Sequence, residues 1–142
     1  MTDTSLAIPL ISELLSADQQ LKATVAKHLP KGMELSHFSV LNLLYNGGER
    51  TPAQLAKSFQ LTKGAMTNTV KRLEMSGYII VRPDWDDARR KWVSISPAGR
   101  QARDIALNQL EPIFEVLVAE LGIEKIKATL PVLRSFRAAL KP

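Results

Sequence analysis

The chain is 142 residues long, 45% hydrophobic and 23% charged, proportions that exclude wholesale disorder, collagen-like repeats and low-complexity fibre. It has no cysteine, which removes disulfides, thiolate metal sites, cysteine nucleophiles and cysteine-based redox sensing in one step. Nineteen Lys and Arg against fourteen Asp and Glu leave a net charge of +5, which points toward a polyanionic partner without establishing one. The excess is local: residues 1–49 carry −2, residues 50–103 carry +7 and residues 104–142 carry zero. The first ten residues show neither a basic n-region nor an apolar h-region, and no stretch approaches the roughly 18–20 apolar residues that span a bilayer. A cytoplasmic protein without membrane contact is the expectation.

Residues 4–29 repeat apolar side chains at helical spacing, with Leu10, Leu14, Leu21 and Val25 on one stripe and Ile11 and Leu15 beside it. Pro9 stands near the start of this helix, and Pro30 and Gly32 end it. It is longer than a small core needs and so requires a partner surface. Residues 35–45 form a second helix, with Ser36 as N-cap and Phe38, Leu41, Leu44 and Tyr45 on one face, stopped by Asn46-Gly47-Gly48. Thr51-Pro52 opens a third, with Leu55, Ala56 and Phe59 inward. After the short Gln60-Leu61 turn, Thr62 caps a fourth helix that runs to about residue 76, with Met66, Val70 and Leu73 inward. Gly77 ends it.

The period then changes. Residues 78–82 are short and rich in β-branched side chains, residues 83–88 are turn-like, and residues 91–95 alternate, which together reads as a β-hairpin with a long charged tip. Ser96-Pro97 starts another long helix, interrupted by Pro112, where a kink or break is expected, and ended by Gly122. A last helix over 124–140 contains Pro131, which predicts a further distortion. No internal repeat or clean linker appears.

The middle segment therefore orders helix, tight turn, helix and hairpin. A helix-turn-helix lays its second helix in the DNA major groove. Opposite the inward residues of that helix stand Lys63, Gly64, Thr67, Asn68 and Lys71, joined by Thr62 and Arg72. They mix cations, a hydroxyl and an amide, the groups that read base edges and phosphates. Gly64 allows close backbone approach, and the helix N-terminus favours phosphate. A solvated polar face has the same composition, so the pairing with the preceding capped helix and the basic excess carry the reading. Arg89, Arg90 and Lys91 make the hairpin tip basic, suited to a flanking minor groove. Asp84, Asp86 and Asp87 would repel phosphate unless one of them holds an arginine through a charged hydrogen bond.

Residues 35–99 resemble the winged helix-turn-helix of the MarR family of bacterial transcription regulators. The resemblance lies in Leu35-Ser36-His37-Phe38-Ser39-Val40-Leu41, in the stretch from Leu61 to Glu74, in Gly77-Tyr78-Ile79, and most specifically in Arg82-Pro83-Asp84-Trp85-Asp86-Asp87-Ala88-Arg89 with Val93-Ser94-Ile95-Ser96-Pro97-Ala98-Gly99. The family's wing pattern of Asp, one residue, then Arg falls on Asp87 and Arg89. Trp85 stands where the family has proline, and Ala88 where glycine is common. The resemblance implies a mainly α fold with a small β-hairpin wing. It also implies a DNA-binding domain over 35–99, with residues 1–34 and 100–142 forming dimerisation helices of one intertwined chain. It further implies that Arg89 enters the minor groove with Asp87 orienting it, and that a homodimer binds a palindromic operator on double-stranded DNA. Repression relieved by a small, often aromatic, anionic effector is implied as well. His37, Phe38 and Leu41 are the candidate lining residues for that ligand, although His37, in a first helical turn, reads more simply as solvated.

Two other classes compete. A winged-helix module that binds protein rather than DNA would be favoured by acidic groups on the recognition face, where Lys63 and Lys71 stand instead. An enzyme would need a nucleophile–base set, a phosphate loop or paired carboxylates, and none appears. No metal or cofactor is expected: His28 and His37 are the only histidines, and the acids of residues 84–87 lack calcium-loop spacing.

Overall fold

The computed structural model describes residues 3–141. A 3₁₀ turn, Asp3–Leu6, leads into α1 (Ala7–Ala26), followed by α2 (Leu35–Gly47), α3 (Pro52–Phe59), α4 (Lys63–Met75), β1 (Ile79–Pro83), β2 (Lys91–Ile95), α5 (Pro97–Leu121) and α6 (Ile123–Ala139). The strands pair antiparallel, Ile79 opposite Ile95 through Pro83 opposite Lys91. The fold is mainly helical with one hairpin wing, as the sequence pattern implies.

One core serves α2, α3, α4, the hairpin and the first half of α5. Leu41, Leu44, Leu55, Met66 and Val93 are each at most 1% exposed, and burial of such side chains contributes about 1.5–3 kcal/mol each. Arg50, just before α3, exchanges both backbone hydrogen bonds with Val93 (3.0 and 2.8 Å), which adds a one-residue rung to the hairpin. Glu49 and Arg82, 33 residues apart, pair across the same corner at 2.7 Å. On the far side of α2, the Arg103 guanidinium lies 4.0 Å from the Tyr45 ring centroid and donates to Asn42 Oδ1 at 3.1 and 3.0 Å, which ties α5 to α2.

Several local expectations are corrected. The first helix stops at Ala26 rather than residue 29: the N–H groups of His28 and Leu29 both fold back to the Val25 carbonyl, and the chain turns to bury Leu29 and Met33. The N-cap of α2 is Glu34, not Ser36. Ser36 lies inside the helix, and the Glu34 N–H donates to Nδ1 of His37 at 3.0 Å. His37 thereby fills the capping-box position that Glu or Gln commonly takes, and it is buried, at 6% exposure, rather than solvated. β1 begins one residue late because the Tyr78 N–H is taken by the Leu73 carbonyl as α4 ends through Gly77 at φ +78°. Of the kink or break expected at Pro112, the break does not occur: α5 runs through it, as α6 runs through Pro131. The carbonyls of Asn108 and Lys127, which a proline four residues on cannot donate to, belong to exposed residues.

The terminal helices behave differently from the core. α1 buries only Val25 and α6 buries no residue. α5 buries Gly99, Ala102, Ala106 and Leu110, then exposes Val116, Leu117, Val118 and Leu121. The boundary expected at residues 99 and 100 lies inside this helix, whose first half packs on the winged segment.

Gly99 marks the tightest approach. Ser96 donates its N–H to Tyr78 O at 3.0 Å and its hydroxyl to Gly77 O at 2.6 Å, and accepts from Gly99 N at 3.0 Å. A Cβ on Gly99 would collide with the Tyr78 carbonyl and meet Ile95 Cγ1 at 2.9 Å. Gly99→Ala should therefore destabilise the fold by about 1–3 kcal/mol, as overpacking does, read as a lower urea midpoint at unchanged slope; an unchanged midpoint would contradict this packing.

Candidate nucleic-acid interface

α3 and α4 are joined by a turn in which Gln60 is left-handed, at φ +52°. Each helix is capped by threonine. Thr51 Oγ1 accepts from Gln54 N, and Gln54 returns a side-chain oxygen to Thr51 N. Thr62 Oγ1 accepts from Ala65 N at 3.1 Å. Met66, Val70 and Leu73 are buried. That rotation leaves Thr62, Lys63, Gly64, Thr67, Asn68, Lys71 and Arg72 exposed. Thr67 Oγ1 donates to Lys63 O at 2.8 Å, which leaves its oxygen as an acceptor. Arg72 lies at the flank of this face, where it lines a cavity with His37.

The exposed face of α4 continues into the hairpin, since Lys71 and Lys91 line one cleft. Beyond it, residues 84–90 form a tip held by internal hydrogen bonds. Asp84 N donates to Arg90 O (3.1 Å), and Arg90 N to Asp87 O (2.9 Å). Asp84 Oδ1 accepts from Asp86 N at 2.8 Å and from Asp87 N at 3.3 Å, and its Oδ2 accepts from Trp92 Nε1 at 2.9 Å. One carboxylate thus gathers three N–H donors. Next to it, Asp87 Oδ1 accepts from both the backbone N–H (3.0 Å) and Nε (3.1 Å) of Arg89, whose side chain is 92% exposed. Trp85, also at the tip, is 83% exposed. The sequence named Asp84 only as one of three tip carboxylates; its gathering of N–H donors, the Glu49–Arg82 pair and the Arg50–Val93 rung were not read from it. Only the alternation of charged and turn residues at 82–87 could have pointed to Asp84.

The other two candidates for ligand contact are core residues: Leu41 is fully buried and Phe38 is 7% exposed. A cavity of about 410 Å³ lies instead between α1 and the start of α2, where it is lined by Lys22, Ala26, Met33, Glu34, Leu35 and Ser36. Among the described residues no cluster of three metal-ligating side chains occurs, and no helix is long and apolar enough to cross a membrane.

A capped helix-turn-helix, a basic second helix and a hairpin tip continuous with it define a winged helix-turn-helix protein. Residues 31–90 match the MarR family. YwhA, an uncharacterized HTH-type transcriptional regulator of Bacillus subtilis, is 25% identical over 87% of this chain and 86% of its own. Two solved structures share the fold. A mutant MarR from E. coli complexed with operator DNA has a TM-score of 0.81 at 22% identity, over 99% of this chain and 100% of that one. The PcaV transcriptional regulator from Streptomyces coelicolor, in complex with its natural ligand, has a TM-score of 0.82 at 17% identity, over 99% and 98%. The likeness to the MarR family covers the winged segment, and YwhA, matched over most of its length, is described as a transcriptional regulator.

Both wing carboxyls are held below the ordinary aspartate value. For Asp84 the Asp86 N–H is the main cause, followed by the Trp92 indole; for Asp87 it is the Arg89 side chain, followed by the Arg89 N–H. A folded value below the unfolded one means that the ordering of the tip is complete above the ordinary value of 3.8 and is lost as pH falls through the lowered ones. Carboxyl NMR titration should place both midpoints below 3.8, with exchange of the Asp86 and Asp87 amides quickening as they protonate. Midpoints at or above that value would contradict the hydrogen-bond network.

Proposed function

We propose that the chain is a cytoplasmic, dimeric, sequence-specific DNA-binding regulator that acts as a repressor. In this reading α4 enters the major groove, with Lys63, Thr67, Asn68 and Lys71 facing base edges and phosphates. The capped N-terminus at Thr62 and Gly64 approaches the backbone. Arg89, oriented by Asp87, reaches the adjacent minor groove with Arg90 beside it. The observation that carries the reading is the hydrogen-bonded wing: an arginine 92% exposed yet paired with its neighbouring carboxylate, on a surface continuous with the basic face of α4. The operator-bound relative of the same fold supports it.

The exposed apolar side chains of the terminal helices supply the reason for a dimer. Leu10, Ile11 and Leu15 on α1, Leu117 and Leu121 on α5, and Leu130 and Leu133 on α6 are all more than a third exposed, an amount of apolar surface that a second copy would cover. Twofold symmetry would then set two α4 helices about 34–36 Å apart, one turn of DNA. A small anionic effector would bind between the terminal helices and the winged segment, where the cavity beside Lys22 stands, and would release the DNA. The ligand-bound relative supports that arrangement.

On duplex DNA that the protein selects, Arg89→Ala should lose about 1–3 kcal/mol of binding free energy by fluorescence anisotropy; equal affinity would remove Arg89 from the interface. Lys71→Ala should lower the slope of log affinity against log salt by about one, as for one lost phosphate contact. Sedimentation at micromolar concentration should return a dimer, and a monomer there would contradict the proposed assembly.

A further inference from the structure

Trp85 is the only aromatic residue of the hairpin tip, residues 84–90, and the fold makes no use of its ring. The side chain is exposed. Among the described residues neither its backbone N–H nor its indole N–H has a partner. Trp92, the other tryptophan, is half-buried and donates its indole N–H to Asp84 Oδ2 at 2.9 Å. The same Asp84 explains where Trp85 stands. Its Oδ1 accepts the N–H groups of Asp86 and Asp87, and its own N–H donates to Arg90 O, which closes the chain into a loop with Trp85 at the bend. Trp85 lies one position inside one end of this loop, and Arg89, paired with Asp87, one position inside the other. An indole and a guanidinium are thus presented together. The apolar area of the indole stays in water unless a partner outside the chain covers it.

The surroundings decide which kind of partner. Among the described residues from 81 to 104 no other large hydrophobic side chain is exposed, so Trp85 is not part of a contiguous apolar patch of the kind that docks a protein surface. Arg89, Arg90 and Lys91 stand beside it in the chain, all exposed. Lys91 also lines the cleft that Lys71 of α4 shares. Of the tip carboxylates, Asp84 and Asp87 are engaged by donors within the tip, and only Asp86 has no partner for its carboxylate among the described residues. One ring among cations matches a duplex groove, where the apolar faces of the sugars form narrow strips between phosphates. The Asp86 charge repels phosphate, which favours sugar over phosphate as the surface that the bend meets.

We infer that Trp85 is a further DNA-contacting residue, its indole packed against the deoxyribose edge of the minor groove that Arg89 enters. This contact rests on the DNA-binding reading proposed for the chain and adds to it an interaction of a different kind. Lys71 acts by charge, so its contribution falls as salt rises. An indole on a sugar removes apolar area from water and releases no counterion. The wing then has a component of affinity that persists at high salt.

The test uses the full chain and the duplex that it selects from a random pool, with binding followed by anisotropy of labelled DNA over a range of salt concentrations. Trp85→Ala should weaken binding by about tenfold, as for one aromatic ring partly withdrawn from water, and leave the slope of log affinity against log salt unchanged. Trp85→Phe should recover most of the loss. An unchanged urea midpoint of Trp85→Ala checks that the fold is intact. Because the chain has two tryptophans, acrylamide quenching of their fluorescence reads the contact directly. Saturating duplex should shield the wild type from the quencher and leave Trp85→Phe, in which Trp92 alone emits, little changed. Equal binding by Trp85→Ala, a salt slope that falls together with the affinity, or undiminished quenching at saturation would each overturn the contact while the DNA-binding reading stood. A wild type that binds no duplex would remove that reading, and the contact with it.

Discussion

The geometry of the whole molecule rests on a single packing constraint. Leu41, Leu44, Leu55, Met66 and Val93 come from α2, α3, α4 and β2 and close on one another with almost no exposure. Because they share one core, neither α4 nor the hairpin can rotate alone without opening a void, and a void beside side chains of this size costs several kcal/mol. The rotation of α4 that buries Met66, Val70 and Leu73 is therefore the same fact as the outward presentation of Lys63, Asn68 and Lys71. The Arg50–Val93 rung extends this coupling to the backbone, since it holds the start of α3 against β2.

The wing obeys a second, electrostatic logic. Three carboxylates near a surface proposed to meet phosphate look unfavourable when counted as free charges. Two of them are not free. Asp84 gathers the N–H groups of Asp86, Asp87 and Trp92, and Asp87 is matched by Arg89. Their charge is spent on fixing the loop, while Arg90 and Lys91 make no side-chain ion pair among the described residues and remain at the surface. An arginine held in place before contact loses less conformational freedom on binding than a mobile one. Acidity at the tip is thus what positions its basic group.

What was legible in the sequence was mostly local. The Thr51-Pro52, Thr62 and Ser96-Pro97 caps are self-contained signals, and each helix begins where they place it. The alternation over Lys91–Ile95 marked the return strand, and the apolar triplet of α4 defined its two faces. What was hidden depends on neighbours far along the chain. Ser36 looked like the cap of α2, but burial of His37 beside Glu34 decides otherwise, and a buried ring that accepts a backbone N–H has no periodic signature. A break was one of two outcomes expected at Pro112, and α5 runs through it because the proline faces solvent, a position the sequence does not display. The Glu49–Arg82 pair and the Arg103–Tyr45 stack join residues tens of positions apart. The exposed groups of the candidate interface were readable by elimination from the buried ones, whereas Asp84 was not, since its importance lies in the donors that the loop folds around it.

The central claim is that two copies of α4 and two wings read one twofold-symmetric duplex. Selection of bound DNA from a random pool tests it most directly. The account predicts an enriched inverted repeat whose half-site centres lie about one helical turn apart, roughly 10 base pairs, with A·T-rich flanks where the wings meet a narrow minor groove. A pool that shows no enrichment, or an enriched single half-site without its inverted copy, would contradict it.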